Sequence, residues 1–284
     1  MSAISKVGVI GAGTMGSGIA QACATAGLRA VMVDVAEAAI ERGMAAIDAS
    51  LERLVKKKRV TAEDKAAALK RVEGTTDYAM LASCDFVIEA ATENEEAKKK
   101  ILAKADAVAR PDVVIASNTS SISITKLAAA TRRPAKFIGM HFFNPVPVMA
   151  LVELTRGLET DDATVETANA LTKKLGKTPI VAKNSPGFIV NRILCPMINE
   201  AVFALQEGLA SAADIDEAMK LGCSHQIGPL ALADLIGLDV VLAVMEVFYR
   251  DFNDPKYRPA LMLREMVAAG HLGRKTGRGF FTYS

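Results

Sequence analysis

Apolar side chains along the first half of the chain fall into short unbroken runs separated by stretches with helical spacing. Lys6–Ile10, Arg29–Asp34, Phe86–Glu89, Val113–Ser117 and Phe137–Phe142 are β-rich runs of strand length. Between Ala36 and Lys58 the apolar positions Ile40, Met44, Ile47, Leu51, Leu54 and Val55 recur at the spacing of a long one-sided helix. A second helix is predicted over Glu95–Ala109, ending where Arg110-Pro111 forbids its continuation. Strands alternating with helices in this way predict an α/β domain around a mostly parallel sheet of at least five strands.

After Asn144 the pattern changes. Pro145 and Pro147 bracket Val146 and predict a turn before the apolar run Val148–Leu154. A chain reversal at Pro147 leaves His141 and Glu153 equidistant from its centre, so the two face each other on antiparallel neighbours. From Pro186 onward helical patterns take over, at Gly187–Glu207, Ala212–Leu221, Leu230–Phe252 and Pro259–Ala269. The stretch Lys183-Asn184-Ser185-Pro186-Gly187 is the natural boundary. Residues 1–184 are expected to form the α/β domain, with antiparallel strands at its edge, and residues 185–284 an all-helical one.

Composition adds exclusions. A chain of 284 residues with 51% hydrophobic and 23% charged content is globular in character. Thirty-four basic against thirty-two acidic residues leave a net charge of +2, which gives no support to a surface that coats nucleic acid or membrane. The uncharged stretch Val7–Leu28 contains Gly11, Thr14, Ser17 and Gln21 and is too polar for a membrane span or leader. Cys23, Cys84, Cys195 and Cys223 form no CxxC pair, and the expectation is buried free thiols in a reducing cytoplasm, with no metal site. Three histidines make a short list of proton shuttles. His225 and His271 lie in glycine-containing connections and read as exposed or structural.

Gly11-Ala12-Gly13-Thr14-Met15-Gly16 follows the first predicted strand and opens a helix. In a Rossmann-type dinucleotide site the first glycine makes the tight turn, the second lets the pyrophosphate approach the backbone, and the third allows close helix packing. Asp34 ends the second strand, where a carboxylate accepts hydrogen bonds from the ribose hydroxyls of NAD and repels the 2′-phosphate of NADP. Arg29, ahead of that strand, is poorly placed to rescue NADP.

The blocks Ser117-Asn118-Thr119-Ser120-Ser121, Met140-His141-Phe142-Phe143-Asn144-Pro145, Asn184-Ser185-Pro186-Gly187-Phe188 and Gly277-Arg278-Gly279-Phe280, with the glycine loop, resemble the 3-hydroxyacyl-CoA dehydrogenase family across nearly the whole chain. In length, without a fused hydratase domain, the chain is most similar to the stand-alone bacterial members that act on 3-hydroxybutyryl-CoA. The resemblance implies NAD as cofactor, an acyl-CoA substrate and a homodimer through the helical domain. It implies His141 as the general acid/base and Glu153 as its partner. Ser120 and Asn191 would hold the substrate, Glu93, Lys98, Asn118, Asn144 and Lys275 would lie at the cofactor, and Ser50 and Lys57 would meet CoA. Lys56-Lys57-Lys58-Arg59 also complements a helix C-terminus, so its charge has a structural reading as well. Ser224-His225-Gln226 departs from the family's usual pattern there and leaves the acyl-chain preference open. Two alternatives remain, a dehydrogenase of a free hydroxy acid related to the gulonate and carnitine enzymes, and a nucleotide-binding protein without turnover.

Overall fold

The structure, a computed structural model, describes residues 4–283. It divides into two compact units that meet in sequence between Asn184 and Ser185.

The first unit runs β1 (Lys6–Ile10), α1 (Thr14–Thr25), β2 (Arg29–Val33), α2 (Glu37–Lys56), α3 (Ala62–Leu69), β3 (Val72–Thr75), β4 (Phe86–Glu89), α4 (Glu95–Val108), β5 (Val114–Ser117), α5 (Ile124–Ala128), β6 (Phe137–Phe142), β7 (Leu151–Arg156), α6 (Asp162–Lys174) and β8 (Thr178–Lys183). The sheet has eight strands in the order β3-β2-β1-β4-β5-β6-β7-β8. All neighbours from β3 to β6 are parallel, β7 is antiparallel to β6, and β8 is parallel to β7. This is the expected mostly parallel sheet with a reversal near one edge.

The central strands β4, β5 and β6 are buried along their whole length, which is why they appear in the sequence as apolar runs. Helix α2 buries Ile40, Gly43, Ile47 and Leu51, the single stripe that its periodicity predicts. Helices α3 and α4 begin on caps: the Thr61 hydroxyl accepts from Asp64 N, and the Asn94 side chain accepts from Ala97 N. Order β3-β2-β1-β4 places the topological switch point between β1 and β4, and ligands of open α/β sheets bind beyond the carboxyl ends of the strands there.

The second unit runs α7 (Val190–Gln206), α8 (Ala212–Cys223), α9 (Pro229–Ile236), α10 (Leu238–Phe252) and α11 (Leu261–Ala268). Its core is built from Ile198, Val202, Leu230, Ala233, Leu238 and Val241, with Leu263. The single helix expected over Leu230–Phe252 is two helices. Gly237 breaks it with a φ of 104°, a conformation only glycine adopts at little cost, although the apolar spacing continues across the break. No helix among the described residues is long and apolar enough to cross a membrane.

The cysteines depart from expectation at one position. Cys23, Cys84 and Cys195 are buried, and burial pushes their thiols up to about 12, 11 and 12, so they stay protonated and unreactive at neutral pH. Cys223, at the end of α8, is exposed. A maleimide at pH 7 is expected to label one thiol per folded chain, and Cys223→Ser to abolish that labelling, as counted by intact mass. Rapid labelling at a second site would show that a buried thiol is accessible after all.

Candidate active site

The loop Gly11–Gly16 leaves β1 at the switch point and enters α1. Gly11 has a φ of 104°, and a side chain there would also strike Ala90 O at 2.7 Å. Gly16 sits so close beneath the loop that a Cβ would lie 1.9 Å from Gly11 O. At Gly13 the situation is reversed, because an added Cβ meets nothing within 4 Å. The first turn of α1 carries no acidic residue, and its amide groups point toward this open side. Asp34, at the end of β2, ties the loop down by accepting Ala12 N at 2.8 Å on one oxygen and Val35 N at 2.7 Å on the other. Each oxygen keeps a second lone pair for a ribose hydroxyl. These features fit a dinucleotide: an unobstructed shelf over Gly13 at a helix N-terminus, flanked by a carboxylate. Arg29 lies at the opposite end of β2, away from Asp34.

Beyond β4 and β5 a carboxylate organises the loop that carries Ser120. Glu93 Oε1 accepts hydrogen bonds from Thr119 Oγ1, Ser120 N, Ser120 Oγ, Ser121 N and Ser121 Oγ, all between 2.8 and 3.1 Å. Its other oxygen lies 3.9 Å from Lys98 Nζ. Lys98 is 1% exposed and bound to Glu89, which is fully buried, at 2.6 Å, while Ser117 Oγ donates to the same Glu89 oxygen. Glu89 also accepts Ala91 N and so holds the backbone that faces Gly11. Removing one member of so buried a pair leaves an uncompensated charge, at a cost of about 3–5 kcal/mol. Lys98 therefore meets the site through Glu89 and Glu93. Sequence reading missed Glu89, whose place at a strand end gives no sign that it is buried.

Strand β6 brings His141 to the same edge. The turn reverses the chain, and β7 pairs His141 directly with Glu153, with Phe142 opposite Val152 and Met140 opposite Leu154. The side chains of the first pair meet, with His141 Nδ1 2.7 Å from Glu153 Oε2. An ionised carboxylate only accepts, so this contact places the proton on Nδ1. His141 is 7% exposed, Glu153 is fully buried, and the Phe143 ring lies against the imidazole with centroids 4.4 Å apart. Asn118 serves the strand itself, its Oδ1 accepting Phe142 N at 2.8 Å. Asn144 is exposed, immediately before the turn.

The remaining expected residues are spread more widely. Ser50 is half-buried on α2, and Lys57, its C-cap, is exposed together with Lys56, Lys58 and Arg59. In the helical unit Asn191 is half-buried in the first turn of α7. Lys275 is paired with Asp239, its Nζ 2.6 Å from both carboxylate oxygens.

A glycine loop at the switch point of this sheet, with a histidine and glutamate paired on strands of the same sheet, defines a nicotinamide-dependent dehydrogenase. The NAD binding domain of 3-hydroxyacyl-CoA dehydrogenase matches residues 6–185, and the C-terminal domain of the same enzymes matches residues 187–283. The chain is 54% identical over 280 residues to the 3-hydroxybutyryl-CoA dehydrogenase of Bradyrhizobium diazoefficiens, covering 99% of this chain and 96% of that one. It is 49% identical over 279 residues to the 3-hydroxybutyryl-CoA dehydrogenase of Clostridioides difficile, covering 98% of this chain and 99% of its relative. The crystal structure of the (S)-3-hydroxybutyryl-CoA dehydrogenase PaaH1 from Ralstonia eutropha superposes with a TM-score of 0.96 at 65% identity, over 99% of this chain and all of that one. This chain belongs to the 3-hydroxyacyl-CoA dehydrogenase family.

Proposed function

We propose that the protein interconverts (S)-3-hydroxyacyl-CoA and 3-oxoacyl-CoA with NAD, and that its substrate is the four-carbon pair 3-hydroxybutyryl-CoA and acetoacetyl-CoA. The observation that carries this reading is the buried contact between His141 Nδ1 and Glu153 at the carboxyl edge of the sheet. NAD, when bound, supplies the hydride acceptor. Gly11–Gly16 and Asp34 hold it, and the loops of Glu93, Asn118 and Asn144 flank it.

His141 Nε2 takes the proton from the C3 hydroxyl as the alcohol is oxidised and returns it in the reduction. Glu153 fixes the tautomer and stabilises the imidazolium that forms. Ser120, on the loop organised by Glu93, binds the C3 oxygen. Lys98 keeps this arrangement in place by balancing Glu89 and Glu93.

Exposed cations at the end of α2 support binding of the CoA phosphates at Ser50 and Lys57. Lys57→Ala is expected to raise KM for acetoacetyl-CoA well above its effect on KM for NADH. Equal effects on both would reject a CoA-specific role. Exposed Ile193, Leu209, Leu221 and Leu261 support a homodimer through the helical unit, which predicts a sedimentation mass about twice the 30.0 kDa of one chain. Three buried free thiols support a cytoplasmic enzyme.

NADH oxidation with acetoacetyl-CoA tests the whole reading, run beside free acetoacetate, a 3-oxo sugar acid and dehydrocarnitine. Turnover confined to the thioester is expected. Faster turnover of a free acid would establish the gulonate or carnitine type of chemistry instead, and turnover of none would leave a nucleotide-binding protein.

A further inference from the structure

Lys177, between α6 and β8, is a buried cation that the chemistry above does not use. Its ammonium donates to the carbonyl of Val146 at 2.5 Å and to that of Met149 at 2.7 Å. No ion pair with a carboxylate accompanies these bonds among the described residues, and burial holds the lysine below its ordinary pKa.

Both carbonyls belong to the turn between β6 and β7. Within that turn Val148 N and Met149 N both donate to Pro145 O, as in one turn of helix, so its later carbonyls need partners from elsewhere. Because β8 runs parallel to β7, its start lies beside the start of β7, and Thr178 N donates to Ala150 O at 2.7 Å. Lys177 is thereby held at the height of the turn. On the other side the turn is walled in by α1, since Val146 is 2% exposed and a Cβ added to Gly18 would come within 2.9 Å of its Cβ. One further pair of the ladder, Phe142 with Val152, followed by Phe143 and Asn144 on one arm and Leu151 and Ala150 on the other, links the His141–Glu153 pair to the turn.

We propose that Lys177 is a positioning residue for the His141–Glu153 pair, acting by gripping the 145–149 turn through two of its backbone carbonyls. The proposal rests on the dehydrogenase reading and adds to it a residue that touches neither substrate nor cofactor. Without the ammonium the Val146 carbonyl lies buried and unbonded, the Met149 carbonyl loses its donor, and the turn relaxes to find other donors. Strand pairing at the open end of β6 and β7 then loosens, and the imidazole loses its fixed tautomer.

The test compares Lys177→Met and Lys177→Arg in the wild-type background, and Lys177→Met in a His141→Ala background. Steady-state kinetics on acetoacetyl-CoA and NADH are read together with the 15N signals of the histidine rings. With only three histidines in the chain, the His141 signals are assigned by their loss in His141→Ala.

In Lys177→Met, kcat is expected to fall about 10–100-fold with little change in either KM, and Lys177→Arg to recover most of it. The His141 ring should pass from a single Nδ1–H tautomer to an exchanging mixture while His225 and His271 stay unmoved. In the His141→Ala background the same substitution should change the residual rate by less than about twofold. A folded Lys177→Met with wild-type kcat and unaltered His141 signals overturns the proposal, as does an equal loss in both backgrounds. If Lys177→Met fails to fold, Lys177→Gln, which can donate to one carbonyl, carries the same comparison. The ring signals report on His141 whatever the substrate, so a wild type inactive on acetoacetyl-CoA would count against the dehydrogenase reading while still testing Lys177.

Discussion

His141→Ala is expected to lower kcat for reduction of acetoacetyl-CoA by about 10²–10⁴-fold, the usual contribution of a positioned acid/base. Reduction at C3 requires a proton on the developing alkoxide. Among the described residues His141 is the histidine that combines burial with a carboxylate partner, at 2.7 Å. NADH binding, measured by fluorescence titration, should stay near wild type, because the glycine loop and Asp34 are made by other elements. The substitution also leaves Glu153 buried without its imidazole, so some loss of thermal stability should accompany the loss of rate. His141→Gln separates the two effects, since its amide can still donate to Glu153 without working as a base. Turnover by both variants at the wild-type rate would sink the assignment.

Gly13→Ala carries the second large effect, and there the loss should fall on the cofactor alone. An added methyl at this position meets nothing within 4 Å, so the fold and melting temperature should be unchanged. The same methyl projects onto the shelf where the pyrophosphate approaches the backbone. Overpacking of this kind costs about 1–3 kcal/mol, which weakens NADH binding about 5- to 150-fold. Gly16→Ala makes the contrast, because its Cβ would lie 1.9 Å from Gly11 O and must displace the loop itself, lowering stability as well as affinity. If Gly13→Ala bound NADH as tightly as wild type, the dinucleotide would have to lie elsewhere.

The parts of this fold that could be read from the sequence are those where burial is continuous. Strands β1, β4 and β6 occupy the predicted residues because apolar runs bounded by polar residues have few other uses. Strand β3, with the sequence Val-Glu-Gly-Thr, and β8, with Thr-Pro-Ile-Val-Ala-Lys, went unread. Both lie at edges of the sheet, where one neighbour and little burial suffice and glycine or proline is tolerated. The pairing of His141 with Glu153 was legible because a turn at Pro147 sets the register, and register is arithmetic. The burial of Lys98 and Lys177 was opaque for the opposite reason. Lysines on or after helices read as solvated charges, and only the assembled sheet reveals that one is buried against Glu89 and the other against two carbonyls.

The reversal between β6 and β7 also limits how the chain can change length. Side chains on a strand alternate between the two faces of the sheet, so a one-residue slip of β7 against β6 would send Glu153 to the face away from His141. Insertions between Asn144 and Ala150 are therefore tolerated only when the extra residues bulge out of the turn and leave the pairing of β6 with β7 unchanged. What the segment has to preserve is the register on either side of it, whatever its own length.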